Sequence, residues 1–319
     1  MTKKKEPVQP ISGTKVPRFA GPSTFARLPE LRDVGSCDVA IVGIPFDAGT
    51  SYRPGARFGP QSIRQASRHL RTNYHPNYDV EPFKVQQVAD AGDITCDPFN
   101  IDEAIKQIEA EALDLFKKTK GIISLGGDHT IAFPLLRAMN KFNNGPVALV
   151  HFDAHLDTWD TYFGAPYTHG TPFRRAREEN LFLDDSSMHV GIRGPLYSRE
   201  DLKNDESFGF KIIHCDEFQS QGVDKIVERI RNRVGNNPLY LSIDIDVLDP
   251  AHAPGTGTPE IAGMTSREMV NVIRGLSGMK IISADVVEVA PAYDHAEVTS
   301  LAAATIVYEL TNLFAKAKR

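Results

Sequence analysis

The stretch that decides the fold is HFDAHLDT at residues 151–158, which follows directly on the apolar run VALV at residues 147–150. A short apolar run after a Gly-Pro pair predicts a buried β-strand. Because alternate side chains of a strand share one face, we expect Asp153, His155 and Asp157 to point the same way. Buried carboxylates without a counter-charge are costly to desolvate. The stretch therefore predicts a bound cation at the end of this strand.

Around this stretch the chain alternates between short apolar segments and amphipathic ones. This alternation predicts an α/β fold with a mainly parallel eight-stranded sheet and helices on both faces, in which ligands bind beyond the carboxyl ends of the strands. The other seven strands are predicted at residues 37–45, 85–89, 121–125, 188–192, 210–214, 239–245 and 281–287. Helices are predicted from residue 59 through 66, at 101–118, from 130 through 139, and at 223–234, 266–274 and 301–315. Residues 1–36, rich in Pro and Gly, are expected to form an irregular N-terminal arm, and residues 37–319 a single catalytic domain.

Composition narrows the class of protein. The chain has 319 residues, 36 basic and 41 acidic, and its net charge of −5 gives no reason to expect a nucleic-acid partner. Its three cysteines show no CxxC spacing, which fits a reducing cytoplasm better than a disulfide framework. We expect no membrane span, because no apolar run approaches about 18 residues. The basic N-terminus lacks the apolar segment of a secretory signal.

Metal-ligand side chains follow three of the predicted strands. They are His129 after the third, Asp153, His155 and Asp157 after the fourth, and Asp244 and Asp246 at the seventh. Two imidazoles and four carboxylates exceed the needs of one ion and suit two ions that share bridging carboxylates. A donor set rich in carboxylate favours Mn²⁺, although imidazole also accepts Ni²⁺, Fe²⁺, Co²⁺ and Zn²⁺. His151 is expected to support a ligand rather than to be one.

Four motifs resemble the ureohydrolase family, which includes arginases, agmatinases and related guanidino-acid hydrolases. They are GGDH at 126–129, DAHLD at 153–157, SIDIDVLDP at 242–250 and PGTGTPE at 254–260. The resemblance covers nearly the whole chain, from about residue 46 to 310. It implies a three-layer α-β-α arginase-like fold, usually two Mn²⁺ ions, hydrolysis of a guanidinium group to urea and an amine, and assembly into trimers or hexamers.

The same resemblance implies a role for each ligand. One ion would be held by His129, Asp153, Asp157 and Asp244, and the other by Asp153, His155, Asp244 and Asp246. Asp153 and Asp244 would then bridge the two ions. The paired ions would activate a water molecule to attack the guanidinium carbon. Asp157 would also stabilise the tetrahedral intermediate.

Two further residues match catalytic positions of the family. His169, in YTHGTP at 167–172, would carry a proton to the leaving amine, a task that suits an imidazole titrating near neutrality. Glu288 ends the predicted eighth strand, where its carboxylate could clamp a guanidinium through paired hydrogen bonds.

The loop at residues 158–167 is expected to cover the substrate. Trp159 stands where arginases usually carry Asn, which argues against an arginase. Residues 168–175 are more similar to agmatinases, guanidinobutyrases and proclavaminate amidinohydrolases, and agmatinase is the leading prediction. The candidate substrate-loop residues are Trp159, Tyr162, Phe163, Tyr167 and Arg53.

The substrate stays open at this stage. An aromatic face could bind an ammonium tail by cation–π attraction, or could exclude any tail and leave guanidine itself as the substrate. Arg53 or Arg175 could instead pair with a guanidino acid. A different two-metal hydrolase and a non-catalytic subunit are also conceivable. Glu288 and His169 argue against the first, and the complete ligand set argues against the second.

Overall fold

The computed structural model describes residues 6–317 of the chain. Its centre is an eight-stranded sheet in the order β2-β1-β3-β8-β7-β4-β5-β6, in which every pair of neighbours is parallel. The strands are β1 Val39–Ile44, β2 Val88–Asp93, β3 Gly121–Gly126, β4 Ala148–Phe152, β5 Met188–Ile192, β6 Lys211–His214, β7 Leu239–Asp244 and β8 Ile281–Val287. The central strands are buried on both faces, as expected where helices cover a parallel sheet.

Helices cover both faces of this sheet, which confirms the predicted three-layer α/β fold. They are α1 Leu31–Val34, α2 Gly59–Ser67, α3 Pro82–Val85, α4 Ile101–Phe116, α5 Ala132–Asn143, α6 Pro172–Glu178, α7 Glu200–Ser207, α8 Glu217–Gln221, α9 Val223–Val234, α10 Ser266–Gly275 and α11 Val298–Lys316. The apolar residues of α2, α9, α10 and α11 share one core with one face of the sheet. Those of α4, α5 and α6 share a second core with the opposite face.

The prediction placed one strand too early in the chain. The second strand was predicted at residues 85–89, but Val85 ends α3 and β2 begins at Val88. Pro82 takes the first position of α3, where its missing N–H costs nothing. The C-terminal end of β2, up to Asp93, is polar and lacks the apolar pattern from which a strand is predicted. Five helices, each only four to eight residues long, were not predicted: α1, α3, α6, α7 and α8.

The described part of the N-terminal segment, residues 6–36, contains two short helical turns, at Phe25–Arg27 and at Leu31–Val34. The side chains of Phe25 and Leu28 are buried in the core shared with α2. The backbone N–H of Phe25 donates to the Asp90 carboxylate at 2.7 Å. The end of this segment is therefore packed against the sheet.

Helix α11 is long and apolar enough to cross a membrane by length and composition alone. Inside the fold, however, 67% of its most apolar window is buried. Its Glu309 pairs there with Arg274 at 2.6 Å and lies 3.1 Å from His75. These contacts are those of a core helix.

Candidate metal centre

The predicted ligands converge beyond the carboxyl ends of three strands of the central array β3-β8-β7-β4. His129 follows β3, Asp153 follows β4, and Asp244 ends β7. Each of these three side chains is almost completely buried. The sheet order thus gathers side chains that lie more than a hundred residues apart in sequence.

One cluster forms around His129. Its Nδ1 atom lies 3.0 Å from an Asp157 oxygen, 3.2 Å from Asp153 Oδ2 and 3.4 Å from Asp244 Oδ2. Three carboxylates that converge on one imidazole nitrogen form a site of high negative charge.

A second cluster forms around His155. Its Nδ1 atom lies 3.2 Å from Asp153 Oδ1 and 3.1 Å from Asp246 Oδ2. Asp153 therefore turns one oxygen towards each cluster. This is the geometry expected of a carboxylate shared by two adjacent cation sites.

The hydrogen bonds of His129 determine which ring nitrogen is free. Its Nε2 atom lies 2.8 Å from Ser242 Oγ, and that hydroxyl donates to Asp285 at 2.8 Å. Because the Ser242 proton is used on Asp285, Ser242 accepts from Nε2–H of His129. The lone pair of neutral His129 then sits on Nδ1 and faces the carboxylates, an orientation typical of metal-binding histidines.

Two polar atoms in these clusters test whether a cation fits. Nδ1 of His129 and Oδ2 of Asp246 are buried and have no well-oriented hydrogen bond within the described residues. Leaving such atoms unpaired costs about 1–3 kcal/mol each. One divalent ion in each cluster would satisfy the unpaired atom there, so the residues present fit a metal pair.

Electrostatics agree with this fit. Burial, and then repulsion from Asp246 and Asp153, raises the pKa of the Asp244 carboxyl well above its usual range. Burial disfavours a charged His129, but the close approach of the Asp153, Asp157 and Asp244 carboxylates outweighs it and raises the pKa of the imidazole well above its usual value. Without a cation, Asp244 and His129 therefore tend to hold protons, which offset the negative charge of the neighbouring carboxylates.

The predicted ligands converge, but not through strand alternation as the sequence suggested. Alternation was expected to align Asp153, His155 and Asp157, but β4 ends at Phe152. The three residues lie in a loop, and Asp157 has a left-handed backbone with φ 55°. Likewise, Asp246 lies in a 3₁₀ turn after β7 rather than in the strand.

Comparison with known proteins identifies the relatives of this fold and centre. The model of the arginase family matches residues 37–312. The chain belongs to the arginase family. Relatives include the guanidinopropionase of Pseudomonas aeruginosa, 43% identical over 97% of this chain and 96% of its own, and the mitochondrial agmatinase of Gallus gallus, 40% identical over 94% of this chain and 88% of its own. The solved structure of proclavaminate amidinohydrolase from Streptomyces clavuligerus has a TM-score of 0.90 at 40% identity, covering 95% of this chain and 100% of its own.

This arginase-family chain is a hydrolase, and two of the predicted catalytic residues, His169 and Glu288, lie together beside the candidate ligand cluster. Nδ1 of His169 is 3.1 Å from Glu288 Oε1, which also accepts the backbone N–H of His129 at 2.8 Å. The other oxygen of Glu288, Oε2, is buried and has no hydrogen-bond partner within residues 6–317. Burial opposes protonation of His169, but the bond to Glu288 outweighs it and raises the pKa of His169 to about 9.

A cavity of about 680 Å³ opens over this centre in the arginase-family fold. Of the predicted substrate-loop residues, Trp159, Tyr162 and Arg53 line it. The other two substrate-loop candidates, Phe163 and Tyr167, do not line the cavity. Phe163 is 97% exposed, and Tyr167 stacks on Phe133, with their ring centres 5.9 Å apart. Arg175 is held by Asp160 and Glu178 at 2.7 and 2.9 Å, so it is not a free cation at the mouth.

Sequence reasoning assigned no role to four other residues of the cavity: Ser51, Arg193, Tyr197 and Glu260. The guanidinium of Arg193 donates to backbone carbonyls that include those of Asp246 and Glu260, so it fastens the loop after β7. Glu260 was within a recognised motif, and its side chain lies 4.0 Å from His155 Nε2. No motif pointed to Tyr197, whose ring lies 5.1 Å from that of Trp159.

Proposed function

We propose that this protein hydrolyses the guanidinium group of a small guanidino compound to urea and an amine, and that agmatine is its substrate. The observation that carries the reaction type is the Oε2 atom of buried Glu288, which has no hydrogen-bond partner among the described residues and lies next to the ligand cluster and to His169. A planar guanidinium offers paired N–H donors that match a carboxylate. Glu288 would orient this group with its carbon towards the cluster.

The metal ions would be held as the family pattern implies, by His129, Asp153, Asp157 and Asp244 on one side and by Asp153, His155, Asp244 and Asp246 on the other. The two facing oxygens of Asp153 support its bridging role. Mn²⁺ is proposed on the carboxylate-rich donor set, with Ni²⁺ as the alternative. When bound, such a pair supplies Lewis-acid activation of water near neutral pH.

The side chains divide the remaining work. Glu288 holds the guanidinium, and Asp157 stabilises the tetrahedral intermediate, whose leaving nitrogen becomes positively charged when it is protonated. His169, kept protonated by Glu288, supplies the proton that the departing amine needs. Positioned proton transfer of this kind typically contributes about 10²–10⁴-fold to a rate.

Agmatine is favoured by the chemistry of the cavity. Trp159, Tyr162 and Tyr197 present aromatic rings, and Glu260 adds a carboxylate. Rings and a carboxylate both attract an ammonium tail. Trp159 in place of the usual Asn argues against an arginase.

A guanidino acid is the second candidate, and Arg53 is the observation that favours it. The Arg53 guanidinium lies 5.3 Å from the ring centres of Tyr52 and Tyr293 and lines the cavity. It could pair with a substrate carboxylate, as in 3-guanidinopropionate or 4-guanidinobutyrate. The relatives named for agmatine and for guanidinopropionate are about equally similar to this chain.

The test is urea release by the Mn²⁺-loaded protein from agmatine, 4-guanidinobutyrate, 3-guanidinopropionate, arginine and guanidine. We expect agmatine to give the highest kcat/KM. Glu260→Gln should raise the KM for agmatine and leave that for the guanidino acids unchanged, and Arg53→Gln should do the reverse. A guanidino acid or guanidine ranking well above agmatine would contradict the substrate proposal.

Two further proposals concern assembly and location. The family resemblance supports a homo-oligomer, a trimer or a hexamer, which sedimentation velocity would measure. The cysteines of the described residues, Cys37, Cys96 and Cys215, are free thiols, which supports a reducing compartment such as the cytoplasm.

A further inference from the structure

Three completely buried side chains form a polar network beside the centre: His151 of β4, His189 of β5 and Asp205 of α7. The two histidines are register partners in the sheet, and their Nδ1 atoms lie 2.7 Å apart. Nε2 of His189 lies 2.9 Å from Asp205 Oδ2, in an ion-pair contact that is not aligned as a hydrogen bond. The proposed reaction uses neither His189 nor Asp205.

At its other end the network reaches one oxygen of Asp153. Nε2 of His151 lies 2.8 Å from Asp153 Oδ2, the oxygen that faces His129. The other oxygen, Oδ1, accepts the backbone N–H of His155 at 2.6 Å and faces the second cluster. The network therefore acts on Asp153 from the side of the His129 cluster.

The number of protons determines the direction of the hydrogen bonds in this network. A carboxylate and an imidazole lone pair both accept, so each of the contacts Asp205–His189, His189–His151 and His151–Asp153 needs one proton. Two neutral imidazoles carry two N–H groups, so the network holds a third proton, whose charge offsets that of Asp205. In this arrangement Nε2–H of His151 donates to Asp153, and one proton lies between the two Nδ1 atoms.

Asp205 anchors the far end of the network. Its Oδ1 atom accepts the hydroxyl of Thr158 at 2.5 Å, at the start of the substrate loop. A carboxylate held in this way fixes the orientation of the His189 ring. Phe210 contacts the same ring without a hydrogen bond, with the ring centres 3.9 Å apart. The polar and the apolar contacts of His189 can therefore be tested separately.

We propose that His189, anchored by Asp205, is a positioning residue that acts through His151 to hold Asp153 Oδ2 on the ion of the His129 cluster. No bond is made or broken in the network. Groups that orient a metal ligand commonly contribute about 10–100-fold to metal affinity. The ion of the second cluster meets Asp153 through Oδ1 and should depend on the network much less. This inference rests on the metal pair of the proposed function.

The test is calorimetric titration of the metal-free protein with Mn²⁺. His189→Leu removes the donor to His151, so it should weaken one of the two ions at least about tenfold, with the other within about twofold. His189→Gln keeps an N–H group that can reach His151 Nδ1 and should recover most of the affinity. Two unchanged affinities in His189→Leu, or equal losses with leucine and glutamine, would overturn the proposal.

Double variants identify the ion that is affected. In an Asp246→Asn background only the His129 cluster keeps its full set of proposed ligands, and His189→Leu should weaken the remaining ion by the same factor. In a His129→Asn background the added change should have an effect within about twofold. The opposite pattern would contradict an action through Asp153 Oδ2.

Phe210→Leu is the matched control, because it disturbs the packing of the His189 ring and leaves the network intact. It should lower stability in denaturant unfolding with both Mn²⁺ affinities unchanged. If His189→Leu does not fold, His189→Phe also lacks the donor and keeps an aromatic ring against Phe210. A loss of Mn²⁺ in Phe210→Leu as large as that in the His189 variants would show a packing role alone and would overturn the proposal.

Failure of the proposed function would have a different result. A wild-type protein that bound two Mn²⁺ ions but released urea from no guanidino compound would contradict the function, whereas selective loss of one ion in His189→Leu would still support the network. A wild-type protein that bound no Mn²⁺ would overturn both.

Discussion

Two residues at the centre have backbone conformations that their side chains do not favour. Asp157 has φ 55° and Glu288 has φ 63°, both in the left-handed region. Such conformations cost about 1–3 kcal/mol and persist where the surroundings enforce them. The Glu288 N–H donates to the Gly127 carbonyl at 2.9 Å, and the Asp157 carbonyl accepts the Phe173 N–H at 3.1 Å. These bonds hold both carboxylates, for which we propose functional roles, in otherwise unfavourable backbone conformations.

Glu288→Gln should impair substrate binding without removing metal. The amide keeps the shape of the side chain but loses the charge that pairs with a guanidinium. Since a hydrogen bond to a charged group is worth about 1.5–3 kcal/mol, kcat/KM should fall about 10- to 150-fold. Urea-release kinetics and elemental analysis would measure the two effects, and loss of metal from this variant would reassign Glu288 as a ligand.

Asp244→Asn should abolish metal binding and activity together, because Asp244 is proposed to bridge the ions. The structure places Asp244 Oδ2 3.4 Å from His129 Nδ1, while Oδ1 accepts the Asp246 N–H at 2.8 Å. Elemental analysis after dialysis is the measurement. Two ions retained per chain would contradict the bridging role.

The pH dependence of kcat should follow His169. The pKa of His169, raised to about 9 by Glu288 against the effect of burial, keeps the imidazole protonated at neutral pH. The protonated form is the proton donor, so kcat should fall as pH rises through this pKa. Bound cations disfavour the charged imidazole, so the midpoint should lie at or below pH 9. A kcat that rises steadily to pH 10 would argue against His169 as the donor.

At the scale of elements, most of the proposed functional residues lie at the ends of strands and in the loops next to them. Strand β4 stops at Phe152, and the following loop turns Asp153 to both clusters. The loop before α2 brings Ser51 to His169. The bodies of the same elements are apolar and belong to the cores.

Helix α10 offers a test of stability that is separate from chemistry. Thr265 and Glu268 form a reciprocal capping box at its N-terminus. Thr265→Ala should lower the free energy of unfolding by about 1 kcal/mol. Denaturant unfolding would measure it, with Ser220→Ala as a control expected to change little. Urea release should be unaffected at temperatures well below unfolding, and a loss of kcat would connect α10 to the centre.

At the scale of the whole molecule, the metal pair should contribute to stability. The centre joins loops after strands from both halves of the sheet, and its carboxylates repel one another when no cation is present. Ligand at 100 times its Kd stabilises a fold by about 2.7 kcal/mol per site. Chelation should therefore lower Tm by several degrees, as scanning calorimetry would measure, and Mn²⁺ should restore it. An identical Tm with and without chelator would contradict a structural contribution of the ions.

The sequence by itself determined the α/β architecture, the order of most elements and the six ligand candidates. These follow from local patterns: apolar runs such as 147–150 become strands, and Asp or His residues directly after them lie at one edge of a parallel sheet. The family motifs added the reaction type. Short elements such as α3, and the end of β4 at Phe152, depend on packing and were not predicted.

Only the tertiary structure decided which atoms face one another. Asp153 directs one oxygen to each cluster. His129 Nδ1 faces the carboxylates because Nε2 is bonded to Ser242. Phe163 and Tyr167 lie away from the cavity. The tertiary structure also placed Ser51 on His169, 118 residues away in the chain. The reason is physical: periodicity reports which face a residue takes, whereas contacts between distant loops depend on sheet order and on backbone turns that leave no periodic signal.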